Sequence, residues 1–272
     1  MEQEKKVFGT GTEDPAKLLS GADMARIFDD ILTAYPMDGK RVLVLIPDHT
    51  RTMPLPIFFQ LFYEKVYPNA AKLDFLIALG THQPMSDAAI AKSLGISVDD
   101  LHGKYAGMTV FNHDWQRPET FAEIGTIAKE ELAELTHGTI DRDVKIEVNR
   151  KVFEYDLLVV LGPVFPHEVM GYSGGTKYFF PGISGSDFTN TTHWIAAMQT
   201  CFATIGKPYT PQRELIERAV GYIPTERLYL CTVNRKEGVY GFFGGEPMET
   251  WRRAVELSKR VNVVYKPKRY RL

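Results

Sequence analysis

One lysine, Lys177, occupies a segment whose composition suits the binding of a ligand. The segment, residues 166–185 (PHEVMGYSGGTKYFFPGISG), contains five glycines and two prolines. The run Ser173-Gly174-Gly175 before the lysine lets the backbone approach a ligand closely, because glycine has no side chain. A lysine whose pKa is lowered can form a covalent link with a carbonyl-type group. The alternative is a tight turn with a solvated lysine, since neither a P-loop nor a dinucleotide fingerprint is present.

Two histidines flank this lysine, His167 ten positions before it and His193 sixteen positions after it. The chain has no HExxH motif, no CxxC motif and no pair of histidines four residues apart, so a zinc site built from protein side chains alone is not expected. An isolated histidine such as His193 can hold a metal only if a chelating cofactor supplies most of the other ligands.

A second set of reactive side chains is Asp48, Thr50 and Arg51, which follow an apolar run and precede Pro54 and Pro56. The start of a helix offers unpaired N–H groups to a phosphate or a carboxylate, and an arginine adds a bidentate contact. The alternative is that Asp48 or Thr50 caps the helix and that Arg51 pairs with a surface acid.

A third loop carries His82, in the sequence GTHQP after another apolar run. A histidine there can act as a general base near neutral pH, although a loop histidine is often a hydrogen-bonded structural residue. His113 resembles it in context, but we interpret His113 as structural, with Asp114 holding it in place.

These loops lie between short apolar runs and amphipathic stretches. The predicted strands are Val42–Ile46, Leu73–Leu79, Met108–Phe111, Val144–Val148, Leu157–Leu161, Leu228–Val233 and Val261–Tyr265. The predicted helices are Pro15–Ala34, Pro56–Tyr67, Asp87–Leu94, Ala128–Glu134, Thr191–Phe202, Pro211–Val220 and Pro247–Arg260. The alternation predicts an α/β fold, Rossmann-like, with a mainly parallel sheet and helices on both faces.

The reactive side chains follow predicted strands, which is where open α/β sheets bind ligands. We therefore expect three loops to converge on one crevice, bringing together Asp48, Arg51, His82, His167 and Lys177.

The overall composition restricts the partners. With 32 basic and 34 acidic residues among 272, the chain has a net charge of −2 and gives no reason to expect nucleic acid or an anionic membrane. No apolar run approaches transmembrane length, and the N-terminus has no signal-peptide core. Cys201 and Cys231 lie in apolar runs and are expected to be buried, reduced thiols, which predicts a cytoplasmic protein.

The ordered set of motifs is similar to a known family. The chain resembles the N-terminal catalytic domain of the lactate racemase family, which depends on a nickel-pincer nucleotide. The resemblance extends from about residue 8 to residue 265. It is carried by DHTRTMP (48–54), ALGTHQPMS (78–86), FNHDW (111–115), VNRKVFEYDLLVVLGPVFPHEVMGYSGGTKYFFPGISG (148–185) and TTHW (191–194).

The resemblance implies a cofactor and its attachment. The family's cofactor is a pyridinium mononucleotide with thiocarboxyl groups that hold nickel through two sulfurs and a ring carbon. By this resemblance Lys177 carries the cofactor through a thioamide and His193 is the protein's nickel ligand. The remaining cofactor or substrate contacts are expected from Asp48, Thr50, Arg51, Ser173, Gly174 and Gly175.

The resemblance also implies a reaction, the racemisation or epimerisation of a small 2-hydroxy acid such as lactate or a sugar acid. His82 and His167 are the expected acid/base pair, since racemisation needs a base for either enantiomer. Gln83 departs from the arginine that some members have after this histidine, a difference that bears on the substrate preference.

A further departure concerns domains. We expect residues 1–265 to form the catalytic domain and residues 266–272 to be a basic tail or a shortened linker. Family members usually have a C-terminal domain that closes the cleft, so a separate lid domain or a homo-oligomer is expected to complete the site. The alternatives are a cofactor-binding half-protein that needs a partner domain, or a non-catalytic anion- or nucleotide-binding protein.

Overall fold

A seven-stranded sheet forms the centre of the computed structural model, which describes residues 6–264. The strands in the described range are β1 (Val7–Gly11), β2 (Arg41–Ile46), β3 (Lys72–Ile77), β4 (Val110–Asn112), β5 (Phe121–Ile127), β6 (Val144–Asn149), β7 (Leu157–Pro163), β8 (Pro166–His167), β9 (Gly171–Tyr172), β10 (Glu226–Arg235) and β11 (Gly238–Gly245). Within the seven-stranded sheet, five neighbouring strands run parallel, in the order β10-β7-β2-β3-β4, and β11 and β1 extend the β10 edge with antiparallel pairs.

Helices cover both faces of this sheet. The α-helices in the described range are α1 (Gly21–Ala34), α2 (Leu55–Lys65), α3 (Asp87–Leu94), α4 (Val98–His102), α5 (Lys129–Leu135), α6 (Ser186–Gln199), α7 (Cys201–Thr204), α8 (Pro211–Val220) and α9 (Pro247–Asn262). Along β2, Val42, Val44 and Ile46 belong to the core that contains α1 and α2, whereas Leu43 and Leu45 belong to the core that contains α8 and α9. This alternation confirms the predicted α/β fold with a mainly parallel sheet and helices on both faces.

The prediction of a strand at Val261–Tyr265 was wrong. Val261 and Asn262 complete α9, and Tyr265 lies outside the described residues, as does the predicted tail 266–272. The β-branched valines suggested a strand. However, Val261 is buried as the last apolar residue of an amphipathic helix that continues from Pro247.

The sequence analysis missed β1 and β11 because both are rich in glycine, which is depleted in strands. Their glycines let α9 pack against the sheet. A Cβ atom on Gly241 would lie 2.4 Å from a methyl group of Leu257 in α9, and one on Gly11 would lie 2.3 Å from the same methyl group.

Several boundaries differ from the prediction. The predicted helix Pro15–Ala34 divides into a 3-10 turn and α1, which Ser20 begins with a capping box to Asp23. The predicted helix Thr191–Phe202 begins earlier, at Ser186, and a break at Thr200 separates α6 from α7. The predicted strand Val144–Val148 forms β6, but it pairs with β5 in a separate two-stranded sheet.

The two cysteines are free, and only one of them is buried. Cys231 lies in the core strand β10, as expected, whereas Cys201 is exposed at the start of the short helix α7, contrary to the prediction. None of the helices within residues 6–264 combines the length and the apolar composition that a membrane-spanning helix needs.

Candidate active site

A cleft lies at the carboxyl ends of three neighbouring parallel strands, β7, β2 and β3. The chain leaves each of these strands in a loop with polar side chains, so the loops meet at one edge of the sheet, where open α/β folds bind ligands. The cleft has a volume of about 220 Å³. Eight of the predicted site residues line it: Asp48, Arg51, His82, His167, Ser173, Gly174, Lys177 and His193. The other two do not line it: Thr50 hydrogen-bonds to Asp48, and Gly175 lies against Trp251.

Asp48 and His82 form a hydrogen-bonded pair across two of these loops. Oδ2 of Asp48 contacts Nδ1 of His82, and Oδ1 accepts from the backbone N–H (3.0 Å) and the hydroxyl (2.5 Å) of Thr50. Burial raises the pKa of Asp48, but the hydrogen bonds from Thr50 and His82 outweigh it and lower the pKa below its ordinary value. Because the carboxylate accepts, Nδ1 of His82 donates, and its Nε2 carries the lone pair.

In the neighbouring His167, Nδ1 is a hydrogen-bond acceptor, the opposite of its role in His82. Its Nδ1 accepts from the backbone N–H groups of Val169 (3.1 Å) and Met170 (3.3 Å), which can only donate. The ring proton therefore sits on Nε2. Burial, together with the positive charges of Lys177 and Arg51, lowers the pKa of this buried histidine to about 2. His167 is a neutral hydrogen-bond donor in this conformation.

The third histidine of the cleft, His193, lies on α6 with one ring nitrogen fixed. Its Nδ1 is 2.7 Å from the carbonyl oxygen of Thr189, one helical turn earlier. A carbonyl only accepts, so Nδ1 donates and Nε2 keeps its lone pair. A second-sphere bond of this kind is what orients a histidine that ligates a metal through Nε2.

Lys177 lies in a 3-10 turn at the bottom of the cleft. Burial lowers the pKa of its amine to about 8, and the positive charges of Arg51 and Arg213 act in the same direction. The acidic groups of Glu168 and Asp48 oppose this effect. Within residues 6–264, no hydrogen bond or ion pair engages the amine, so it can reach a ligand in the cleft.

The glycine loop before Lys177 is shaped by its neighbours. Gly174 and Gly175 have φ angles of +75° and +59°, which side-chain-bearing residues rarely adopt. A Cβ atom on Gly175 would lie 2.9 Å from the Trp251 ring. The hydroxyl of Ser173 donates to the carbonyl of Pro163 (2.8 Å) and accepts from the N–H of Phe165 (3.0 Å). Ser173 and Gly175 thus hold the loop in shape, and both Ser173 and Gly174 line the cleft.

Arg51 is available to an anion. Its guanidinium lies 5.8 Å from the centre of the Phe165 ring, and it forms no ion pair with any acid in residues 6–264. The alternative interpretation, in which Arg51 pairs with a surface acid, is therefore wrong for the described residues. Nor does Asp48 or Thr50 cap α2, which starts after Pro54 with no side-chain cap.

His113 lies outside the cleft and is structural. It is fully buried, its Nδ1 is 3.1 Å from the side-chain nitrogen of Asn149, and burial lowers its pKa to about 4. The expectation that Asp114 holds it was wrong, because Asp114 pairs with Arg117 (2.9 Å) at the surface.

The sequence analysis did not single out two charged residues of this region. Glu168 lines the cleft beside His167, and its place next to a candidate base was a signal that could have been used. Arg213 is buried on α8 behind the glycine loop, and nothing in its local sequence distinguishes it from the other charged residues of that amphipathic helix.

Comparison with known proteins places these features in context. The family described as lactate racemase N-terminal domain matches residues 12–204. The lactate racemase of Thermoanaerobacterium thermosaccharolyticum is 28% identical over 177 residues, which is 62% of this chain and 36% of that enzyme. The lactate racemase of Lactiplantibacillus plantarum is 27% identical over 149 residues, which is 54% of this chain and 31% of that enzyme.

Two solved structures have the same fold. A protein of Thermotoga maritima superimposes with a TM-score of 0.81 at 27% identity, over 91% of this chain and 61% of that one. The lactate racemase apoprotein of T. thermosaccharolyticum superimposes with a TM-score of 0.71 at 21% identity, over 95% of this chain and 58% of that one. The chain thus spans about a third of the curated relatives in sequence and about three fifths of the solved ones in structure.

Proposed function

Because the chain belongs to the lactate racemase family, through that family's N-terminal domain, we propose that it acts in the racemisation or epimerisation of a small 2-hydroxy acid. The kinship with lactate racemases supports a racemase, that is an isomerase, as the enzyme class. The observation that carries the proposal is the convergence of Lys177 with His82, His167 and His193 in one cleft.

The residues of the cleft fit the nickel-pincer nucleotide. In residues 6–264, no group of three or more His, Cys, Asp or Glu side chains could hold a metal by itself. A nickel ion here therefore needs most of its ligands from a cofactor, which is what a pincer nucleotide provides. We assign the free Nε2 of His193 as the protein's ligand and the amine of Lys177 as the group that forms the thioamide.

Held by Lys177 and His193, the cofactor would supply hydride transfer at the substrate's Cα. The chain supplies the proton transfer. Nε2 of His82 accepts the proton of the substrate hydroxyl, and Asp48 stabilises the imidazolium that forms. His167 donates a hydrogen bond to a substrate oxygen through Nε2–H. It becomes a base only when the N–H groups of Val169 and Met170 no longer donate to its Nδ1.

Anionic groups have two places to bind. Arg51 offers a bidentate contact for the substrate carboxylate, which fits its lack of an ion pair within the described residues. Gly174 lets a cofactor approach the backbone, while Ser173 and Gly175 hold that loop in shape. Thr50 acts through Asp48, whose carboxylate it orients.

A partner domain is the second part of the proposal. Four large apolar side chains on α6, on α7 and directly after α7 are exposed, with Phe202 at 94% and Trp194 at 61%, followed by Ile205 and Met198. An exposed apolar patch of this kind is typical of an interaction surface. Together with the extra length of the relatives, it favours a chain that loads the cofactor and turns over substrate only when a lid domain covers the cleft.

The test is to co-express the chain with the enzymes that make the cofactor, in medium with nickel, and to measure intact mass and nickel content. We expect a mass adduct at Lys177 and about one nickel per chain. Lys177→Ala should abolish the adduct, whereas Lys92→Ala, a change at an exposed lysine of α3, should leave it intact.

Racemisation is then measured with and without a separately expressed lid domain from a relative. An adduct without turnover, followed by turnover when the lid domain is added, would support the half-protein form of the proposal. Absence of both adduct and nickel in the wild-type chain, with or without the lid, would overturn the cofactor assignment.

A further inference from the structure

Arg213 is a buried cation directly behind the glycine loop. Its side chain is 3% exposed, and its guanidinium lies 4.3 Å from the centre of the Trp251 ring. Its Nη2 donates to the backbone carbonyl of Tyr172. Arginine is rarely buried unless it is fully paired, so its position calls for a reason.

The same loop is held at the next residue by Trp251. The indole N–H of Trp251 donates to the carbonyl of Ser173 (2.9 Å), while its ring covers Gly175. Arg213 and Trp251 therefore fix two consecutive carbonyls immediately before the glycine pair. These two hydrogen bonds hold the backbone that leads to Lys177, which lies two residues after Gly175.

The charge of Arg213 is only partly compensated. Oε1 of Glu217 is 3.5 Å from Nη1, and within the described residues neither Nε nor Nη1 of Arg213 has a hydrogen-bond partner. The other oxygen of Glu217 accepts from the hydroxyl of Thr176 (2.7 Å), which also contacts Tyr229 (3.2 Å). A buried ion pair with an incomplete hydrogen-bond set costs stability, which argues that the arginine serves another purpose.

We propose that Arg213 is a positioning residue for Lys177: it clamps the glycine loop and sets a positive charge behind it that keeps the lysine available as a nucleophile. The lowered pKa of Lys177, to about 8, accords with this, since burial and the cations Arg51 and Arg213 act together against the acids Glu168 and Asp48. The identity of the group that the Lys177 amine attacks rests on the proposed function, whereas the availability of that amine does not.

The experiment is competitive acetylation of the 272-residue chain with acetic anhydride across a pH series, with each lysine followed by peptide mass spectrometry. The reagent reacts only with neutral amines, so the labelling curve reports the protonation of Lys177 without any cofactor. The double variant Arg213→Met/Glu217→Gln avoids leaving Glu217 buried without its partner. Because the charge of Arg213 acts on the pKa of Lys177, we expect Lys177 labelling at pH 8 to fall about two- to fivefold in this variant. Arg213→Lys keeps the charge and should stay closer to wild type.

The matched control is Arg218→Met, on the same helix, where the arginine pairs with Glu214 and Glu131 at the surface. It should leave the Lys177 curve unchanged. Trp251→Phe keeps an aromatic ring beside the loop and removes the bond to Ser173. It should lower Lys177 labelling even if the double variant does not fold.

A Lys177 curve that matches wild type in every folded variant would overturn the proposal. So would an equal change with Arg218→Met. Exposed lysines in the same digest report the reagent dose, and the circular dichroism of each variant reports folding. A wild-type chain that never takes up cofactor would sink the proposed function but not this result, so the two failures are distinguishable.

Discussion

His82 and His167 line one cleft with their ring nitrogens in opposite roles. Nδ1 of His82 donates to Asp48, whereas Nδ1 of His167 accepts two backbone N–H groups. One ring therefore presents a lone pair at Nε2 and the other presents a proton. The two histidines of the cleft are therefore not equivalent: in the neutral rings, Nε2 of His82 can accept a hydrogen bond and Nε2 of His167 can donate one.

The first prediction concerns Asp48, which contacts Nδ1 of His82, the proposed base. Asp48→Asn removes the charge that fixes the tautomer of His82 and stabilises its protonated form. We expect racemisation by the cofactor-loaded protein, assayed with the lid domain of a relative added, to fall about 100- to 10,000-fold. Chiral chromatography of the 2-hydroxy acid measures it, with nickel content unchanged.

Asp114→Asn is the control for this prediction, because Asp114 pairs with Arg117 outside the cleft. It should retain wild-type activity. Equal activity in Asp48→Asn and wild type would show that the pair of Asp48 with His82 has no part in proton transfer.

The second prediction separates metal binding from cofactor attachment. His193→Ala removes the one nitrogen proposed to ligate nickel, while Lys177 remains. We expect the mass adduct at Lys177 to form and the nickel content to fall well below that of wild type. His102→Ala, at an exposed histidine that pairs with Asp87, should change neither. Full nickel occupancy in His193→Ala would assign the metal to another ligand.

The third prediction concerns stability in acid. Burial lowers the pKa of His113 to about 4 in the folded protein, whereas an unfolded histidine has a pKa of about 6.5. The unfolded state therefore binds more protons between these values. The stability that depends on a neutral His113 is complete above about pH 6.5 and is lost as the pH falls towards 4. His113 alone should cost about 2 kcal/mol between pH 7 and pH 5.

Urea denaturation at pH 7 and pH 5 checks this loss. In His113→Gln the difference between the two pH values should shrink by about 2 kcal/mol. His102→Gln, at a surface site, should retain the wild-type difference. If the His113 variant keeps the full difference, the buried histidine is not a source of the acid sensitivity.

The sequence predicted those parts of the fold and the site that depend on local patterns. Apolar runs such as Val42–Ile46 are typical of strands covered on both faces, and parallel strands bring their carboxyl ends together. This is why the loops that carry Asp48, His82 and Lys177 could be expected to meet.

The features that were missed depend on contacts between distant segments. Arg213 lies 36 positions after Lys177 in an ordinary amphipathic helix, and only the fold brings it behind the glycine loop. The donors to Nδ1 of His167 are backbone groups, which every sequence has. The glycines of β11 made this strand hard to predict from the sequence. They are needed because α9 packs closely against them, and that contact is visible only in the folded structure.

The last prediction tests whether the glycine pair is required for the shape of the loop. Gly175→Ala places a methyl group at a φ of +59° and 2.9 Å from Trp251. We expect a loss of about 2–4 kcal/mol in the free energy of unfolding, from backbone strain together with overpacking. Guanidinium denaturation measures it.

Gly138→Ala is the matched variant, because Gly138 has a φ of +78° but no atom within 4 Å of the added methyl group. It should lose only the strain, about 1 kcal/mol. The difference between the two variants is the cost of the contact with Trp251. Equal losses would mean that the loop yields to the methyl group, and Trp251 would then not fix the loop that presents Lys177.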